Sequence, residues 1–472
     1  MNKLVLITLA VIALATAVFS EKQMSRRDVL RHAFENSDEL ARIKAEREKT
    51  VEMRNEYYGK AFPDINAAVN YVFSPDLNRT PDRQSIAEAI SPLLPFYQDP
   101  LAASVDSIFA TGFDGIGDAL ALMNAKNTLM WQITATQPIF AQGKVRSGLR
   151  IADIALRMVD EQYRDAQFNL AQKIAVSYNG ALMAQQNFII QQDALVIAEE
   201  SHRLALARFN TGRGTALDTL NTRFAVQQAI LRLREAEMKK RLSVKELANM
   251  ANLSDASFTL SDTLSVMFFN MDEETAWEEM QRSNSSLRLL NYHQELQREQ
   301  THMARTDYRP IIAAFANIGQ VNLFNNADEF SGSDAWRWRT QIGISVQQPI
   351  WNGGQRRSRL NQMRIEEYRL ERRENEATNG LRLALTAAFE NLTVAREELA
   401  ETEQMVALAE QGFRISKLAF EIGQLTQLEL NNNEQNLRLA KLAQNNAIFN
   451  INTAIVNIAR LVGNESLLKQ GN

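Results

Sequence analysis

The residues that could do chemistry are few and widely spaced. His202, His293 and His302 fall in helical stretches with no metal-ligand set around them, and His32 is equally isolated. None of the four forms a nucleophile–base arrangement. The chain has no cysteine, and it carries no phosphate-binding glycine loop. An enzyme, a resident cofactor and a built-in energy source are therefore all disfavoured. What remains is a pair of carboxylates at matched positions. Asp218 lies six residues after Gly212, and Glu429 lies six after Gly423. Each belongs to the first turns of a helix that begins at the glycine turn, where the positive helix end favours a carboxylate. That local reason stands beside a functional one, in which the charge is presented to a passing solute.

The two acids belong to a repeat that must position them. Gln137-Pro138-Ile139-Phe140-Ala141-Gln142-Gly143 returns as Gln348-Pro349-Ile350-Trp351-Asn352-Gly353-Gly354, at an offset of 211 residues. At the same offset, Phe209-Asn210-Thr211-Gly212-Arg213-Gly214-Thr215 meets Phe420-Glu421-Ile422-Gly423-Gln424-Leu425-Thr426. The 65 residues between the motifs are conserved in length without a gap, which implies a rigid element whose length matters. In the first motif a proline ends a strand and a glycine lets the chain turn. In the second, glycine interrupts a helix and Thr215 or Thr426 caps the next one.

Four segments alternate with period two. Ile65, Ala67, Val69, Tyr71 and Phe73 share one face; so do Leu129, Trp131, Ile133, Ala135 and Ile139; so do Trp336, Trp338, Thr340, Ile342, Ile344, Val346 and Ile350. Residues 310–322 are a weaker fourth segment. Long strands with one apolar and one polar face fit a transmembrane barrel or, taken alone, a soluble sandwich. Trp131, Trp336, Trp338 and Trp351 stand where an interfacial girdle needs them. Four strands cannot close a barrel, and open edges are forbidden in lipid, so a membrane reading requires several chains in one barrel. The rest reads as helix. Residues 144–208 and 355–419 predict two helices of about 100 Å each, without a strict single heptad. Shorter helices are expected at 216–251, 427–461, 24–59 and 273–305. Residues 431–457 hold nine asparagines and two glutamines, a polarity that suits either a wall between water and packed helices or a plain surface.

Composition agrees with a folded protein: 45% of residues are hydrophobic and 23% charged. The net charge of −4 gives no reason to expect a nucleic-acid partner. Residues 1–20 have the layout of a signal peptide, with Lys3 ahead of the apolar run Leu4–Ala17. The domains expected are therefore 1–20 signal peptide, 21–251 first repeat, 252–272 linker, 273–463 second repeat and 464–472 C-terminal tail.

Taken together, the duplicated motifs, their spacing and the order helix, strand, strand, long helix, shorter helix resemble the TolC family of outer membrane efflux proteins. Gly59 and Pro63 match the family's entry into its first strand. The resemblance implies a mainly α chain with a membrane β-barrel. Three chains would build one 12-stranded barrel, four strands from each, continued by a long periplasmic α-helical barrel. It implies a homotrimer in the cell outer membrane, in contact with outer-membrane lipid. A periplasmic adaptor and an inner-membrane RND or ABC transporter would be its partners, and no cofactor is implied. The work would be efflux of small molecules or, alternatively, type I protein secretion. A periplasmic coiled-coil scaffold is the alternative of another class.

By the same resemblance the turns Phe209–Thr215 and Phe420–Thr426 form the periplasmic tip and adaptor contact, including Phe209, Gly212, Arg213, Thr215, Phe420, Gly423, Leu425 and Thr426. Glu429, Asn432 and Asp218 map to the pore constriction. Gln137, Pro138, Gly143, Gln348, Pro349 and Gly354 mark the strand-to-helix transitions. Three departures stand out. Asn432 is neutral where the family's best-known member has a second acid. Leu425 replaces a basic residue that would tie the tips together, leaving Arg213 against Glu429 or Asp218 to do so. Residues 76–128 form a long insertion between the first two strands, expected outside the cell or over the barrel mouth.

Overall fold

The computed structural model describes residues 22–73, 126–253 except 213, 258–324, 330, 336–464, 466 and 468. The expected signal peptide and nearly all of the 76–128 insertion lie outside the described residues. The elements in chain order are β1 (Lys22–Met24), α1 (Arg26–Asn36), α2 (Asp38–Gly59), β2 (Asp64–Phe73), β3 (Asn127–Ala141), α3 (Lys144–Asn210), α4 (Ala216–Met250), β4 (Phe258–Leu260), α5 (Glu273–Ser283), α6 (Ser285–Thr306), β5 (Ile311–Phe324), β6 (Trp336–Gln347), α7 (Gln355–Glu421) and α8 (Gln427–Val462). The insertion therefore ends earlier than expected, because Asn127 and Thr128 already belong to β3.

Several expectations need correction. The helices expected at 24–59 and 273–305 are each broken once. Ser37 accepts a hydrogen bond from the Leu40 amide, and Asn284 accepts from the amides of Ser286 and Leu287. Each polar side chain offers the backbone a cap in mid-segment and so starts a new helix. The 252–272 linker contains β4, which pairs in parallel with β1. Beyond 463, Leu468 is fully buried and belongs to the core. Pro138 does not end its strand. β3 continues to Ala141 through a bulge at Ile139, which absorbs the missing proline amide. β6 stops at Gln347, ahead of Pro349.

The chain divides into two compact units. The first comprises residues 1–45, 160–290 and 373–472. Its core joins Val29, Tyr178, Leu182, Leu247, Trp277, Met280, Leu385, Ile451 and Ile455 from six helices. The asparagine-rich helix α8 helps to build this core. Asn452, fully buried, accepts from the Met267 amide and donates to the Ser265 carbonyl, each at 2.8 Å. Asn445 donates to Asn187 at 2.8 Å, and Gln172 donates to Asn457 at 2.8 Å. These amides pair across helices inside the packing, where Lys or Glu would leave a buried charge. Arg26, fully buried, donates to the Leu468 carbonyl at 3.0 Å, and burial pushes its guanidinium down to about 10.

The second unit comprises residues 46–159 and 291–372. It holds an antiparallel sheet in the order β2-β3-β5-β6. The register pairs Val69 with Trp131, Trp131 with Gln320, and Gln320 with Trp338, so these residues share one face. Trp131 meets Trp338 edge to face at 5.8 Å and donates to Gln320 at 3.1 Å. Ile65, Val69, Ile342, Ile344 and Val346 lie exposed on that same face. The opposite face carries Asn66, Asn70, Gln132, Arg337 and Arg339 by the same register. Among the described residues, the sheet's two outer strands, β2 and β6, have no further strand beside them.

Candidate pore-lining and tip site

The strand-to-helix transitions show why each motif begins with glutamine. Gln137 donates to the Ala61 carbonyl at 2.9 Å, and Gln348 donates to the Tyr308 carbonyl at 2.9 Å. Each amide thus ties the end of one strand to the segment that enters its neighbour. Gly143 and Gly354 have φ of 84° and 82°, the left-handed region where a side chain costs about 1 kcal/mol or more. Gln142 also has positive φ, 56°, and donates to the Arg309 carbonyl. Lys144 then pairs with Asp307 at 2.9 Å.

The helical turns are built alike. Gly212 and Gly423 take φ of 72° and 83° and end α3 and α7. Thr215 then accepts from the Asp218 amide at 3.1 Å, while the Asp218 carboxylate accepts from the Thr215 amide at 3.1 Å. Thr426 accepts from the Glu429 amide at 3.3 Å, and Glu429 accepts from the Thr426 amide at 2.9 Å. These reciprocal pairs are capping boxes. Both acids therefore have a complete local reason for their positions. The Thr426 hydroxyl and amide together hold the Glu429 carboxyl below the ordinary range.

Glu429 and Asn432 are exposed on α8, and Asp218 is half-buried. One turn further along, Glu434 and Arg438 pair at 3.8 Å; burial raises the Glu434 carboxyl and lowers the Arg438 guanidinium. Of the two acids on this stretch, Glu429 is the one open to solvent. Phe209 is exposed at the first turn, whereas Phe420 is buried at the second. Leu425 is half-buried. Arg213 lies outside the described residues, so the tie expected of it does too.

A different residue joins the turns. Arg208 donates to the Phe420 carbonyl at 3.1 Å, and its guanidinium stacks 4.9 Å from the Phe420 ring. A Cβ at Gly423 would stand 2.8 Å from Arg208 Nη2. Glycine is favoured there by φ, and any side chain would also have to push the Arg208 tip aside. Lys417 adds an ion pair to Glu200 at 3.2 Å, and His202 meets Thr222 at 2.9 Å. Sequence comparison misses Arg208 because the residue 211 positions later is Ala419, so the duplication gives no signal. Its place one residue before the Phe209 motif was the available clue. A charged donor to a carbonyl contributes about 1.5–3 kcal/mol. Arg208→Ala is expected to raise amide exchange at Gly423 and Gln424 by at least about tenfold, with lysine intermediate. Unchanged exchange at 420–426, followed by mass spectrometry, would show that Arg208 does not hold the turns.

Among the described residues there is no cluster of His, Cys, Asp or Glu suited to a metal ion, and no helix is long and apolar enough to cross a membrane.

The family model for outer membrane efflux protein matches residues 121–253 and 277–464, more than half of the chain. The alkaline protease secretion protein AprF of Pseudomonas aeruginosa is 25% identical over 265 residues, 53% of each protein. The chain thus aligns with about half the length of this curated relative. Solved structures share the fold. The Campylobacter jejuni CmeC outer membrane channel superposes with a TM-score of 0.69 at 15% identity, covering 93% of this chain and 85% of that one. The outer membrane protein VceC of Vibrio cholerae gives 0.67 at 15% identity, covering 92% and 95%. The open state of the Neisseria gonorrhoeae MtrE outer membrane channel gives 0.68 at 13% identity, covering 93% and 89%. The chain belongs to the outer membrane efflux protein family and resides in the cell outer membrane.

Proposed function

We propose that three copies of this chain close one conduit, the outer-membrane exit channel of a tripartite efflux system. An inner-membrane transporter drives it, and a periplasmic adaptor joins the two. The observation that carries this is the open-edged sheet. Among the described residues its four strands leave the edges at β2 and β6 unpaired and present one apolar face. In lipid every backbone group must be paired. Pairing β6 of one chain with β2 of the next, three times over, removes all edges and turns the apolar faces outward.

The helices support the same assembly. On α4, Leu217, Phe224, Leu231 and Met238 recur every seven residues and are exposed in the single chain. Leu408 and Ile415 do so on α7, and Ile422 continues the spacing just past its end. A seven-residue apolar seam packs against another helix, and a neighbouring chain supplies one. At the tips, Phe209 and the turn around Gly212 form the adaptor contact in this reading. Glu429, Asp218 and Asn432 face the narrowed tunnel.

A second reading, type I protein secretion, is favoured by the likeness to a protein whose name refers to protease secretion. The channel architecture serves either. The inner-membrane partner that co-purifies from detergent extracts distinguishes them, a proton-driven pump for efflux or an ATP-driven exporter for secretion. The test of the channel itself is the native mass and conductance of the full-length protein extracted from outer membranes. The expected result is a trimer that conducts in planar bilayers. A monodisperse monomer in the soluble periplasmic fraction would overturn it.

A further inference from the structure

The polar face of the sheet has a charge pattern of its own. Gln132, Asn317, Gly319, Arg339 and Gln341 line a shallow depression on it. Gly319 forms the floor. By register its cross-strand neighbours are Gln132 on one side and Arg339 on the other. A Cβ at Gly319 would stand 2.2 Å from the Trp131 carbonyl oxygen and 2.9 Å from Gln132 Cα. The backbone of β3 already occupies that place, so only glycine fits there, and the donors of the depression stand around a floor of main chain. Gly343 is similarly crowded, since a Cβ there would meet the Phe315 ring at 2.7 Å. Both glycines lie on the polar face. Asn317 adds a carboxamide whose oxygen is buried without a partner. Turning that amide over brings its NH2 group to the same position.

Arg337 stands two residues beyond Arg339 on the same face and is exposed. Among the described residues of this face the only carboxylate is Asp64. It pairs with Thr136, four residues along β3 from Gln132, which is about 13 Å at strand rise. The geometry points to an oxyanion-binding site at the sheet end of the conduit, formed by Arg337, Arg339, Gln132 and Gln341 around Gly319. A guanidinium offers two parallel N–H donors to a carboxylate, phosphate or sulfate, and the glutamine amides offer more. This inference rests on the channel reading, which turns the polar face inward. Three chains then place six guanidinium groups around one lumen. Such a ring raises the local concentration of anions. The ligand class that fits it is small oxyanions.

The test uses the full-length trimer in planar bilayers with inorganic pyrophosphate as the probe. Added on the sheet-end side, pyrophosphate is expected to reduce the current at a concentration at least about tenfold lower than on the helix-end side. The double variant R337Q/R339Q is expected to raise the half-blocking concentration on the sheet-end side by about tenfold or more, the loss of at least one charge-assisted contact. R339K, which keeps the charge but loses the fork, is expected to fall between. Equal block from both sides of the wild-type trimer would overturn the site without touching the channel reading, and so would equal block of wild type and R337Q/R339Q. A wild-type trimer that carries no current would overturn both. The sidedness measurement decides the matter even where the double variant fails to assemble.

Discussion

Replacing Ile342 with arginine is expected to abolish the assembled channel while leaving the helical units folded. Ile342 sits in mid β6 with 83% of its surface exposed in the single chain. Its cross-strand neighbour is Ala316, and Ile344 and Val346 follow on the same face. In a soluble sheet an exposed site of this kind tolerates substitution to within about 0.5 kcal/mol. On the lipid face of a membrane barrel an arginine near the midplane costs about 2–4 kcal/mol. Three copies would bring that to about 6–12 kcal/mol per trimer, more than most assemblies can absorb. Ser345→Arg, on the opposite face of the same strand, is expected to assemble normally, because that face meets water. The measurement is the yield of heat-resistant trimer from outer membranes, with circular dichroism as the check on folding. Wild-type yield of the Ile342→Arg trimer would show that this face does not meet lipid.

Ile342 also shows what the sequence makes legible. Its alternation with Gln341 and Gly343 is local information, and a period of two survives any tertiary context. The same holds for the capping threonines, since Thr215 and Thr426 act on their own helices. Residues whose role comes from distant contacts left weaker traces. Ser37 and Asn284 are ordinary polar residues until a broken helix needs a cap. β1 and β4 are three residues each, too short for a periodic signal. Arg208 acts across more than 200 residues of sequence and has no counterpart in the repeat. The heptad on α4 was hidden because the helix carries two apolar stripes, one buried through Ala229 and Leu247 and one exposed through Leu217 and Leu231. Their overlap blurs either period when read alone.

Glu429 carries both a local and a functional explanation, and its titration separates them. In the single chain, hydrogen bonds from Thr426 lower its pKa. The stability they give the helix start is therefore fully present above the ordinary glutamate range. It is lost as the pH falls through the depressed folded value. Three copies of Glu429 around one axis would act in the opposite sense, since like charges at close range raise a carboxyl pKa. If Glu429 lines the constriction, cation preference is expected to fade on acidification at a pH above the ordinary glutamate value. Glu429→Gln is expected to remove that preference and to raise the half-blocking concentration of a multivalent cation by about tenfold or more. Glutamine also serves at the third position of a capping box, so the trimer should still assemble. Asn432→Asp is expected to shift both properties the other way. Thr426→Ala supplies the control: it weakens the helix start by about 1 kcal/mol yet leaves the carboxylate in place, so selectivity at neutral pH should persist. Bilayer reversal potentials across a pH series decide among these outcomes. Selectivity that is indifferent to Glu429→Gln would leave Glu429 a capping residue and place the constriction elsewhere along the tunnel.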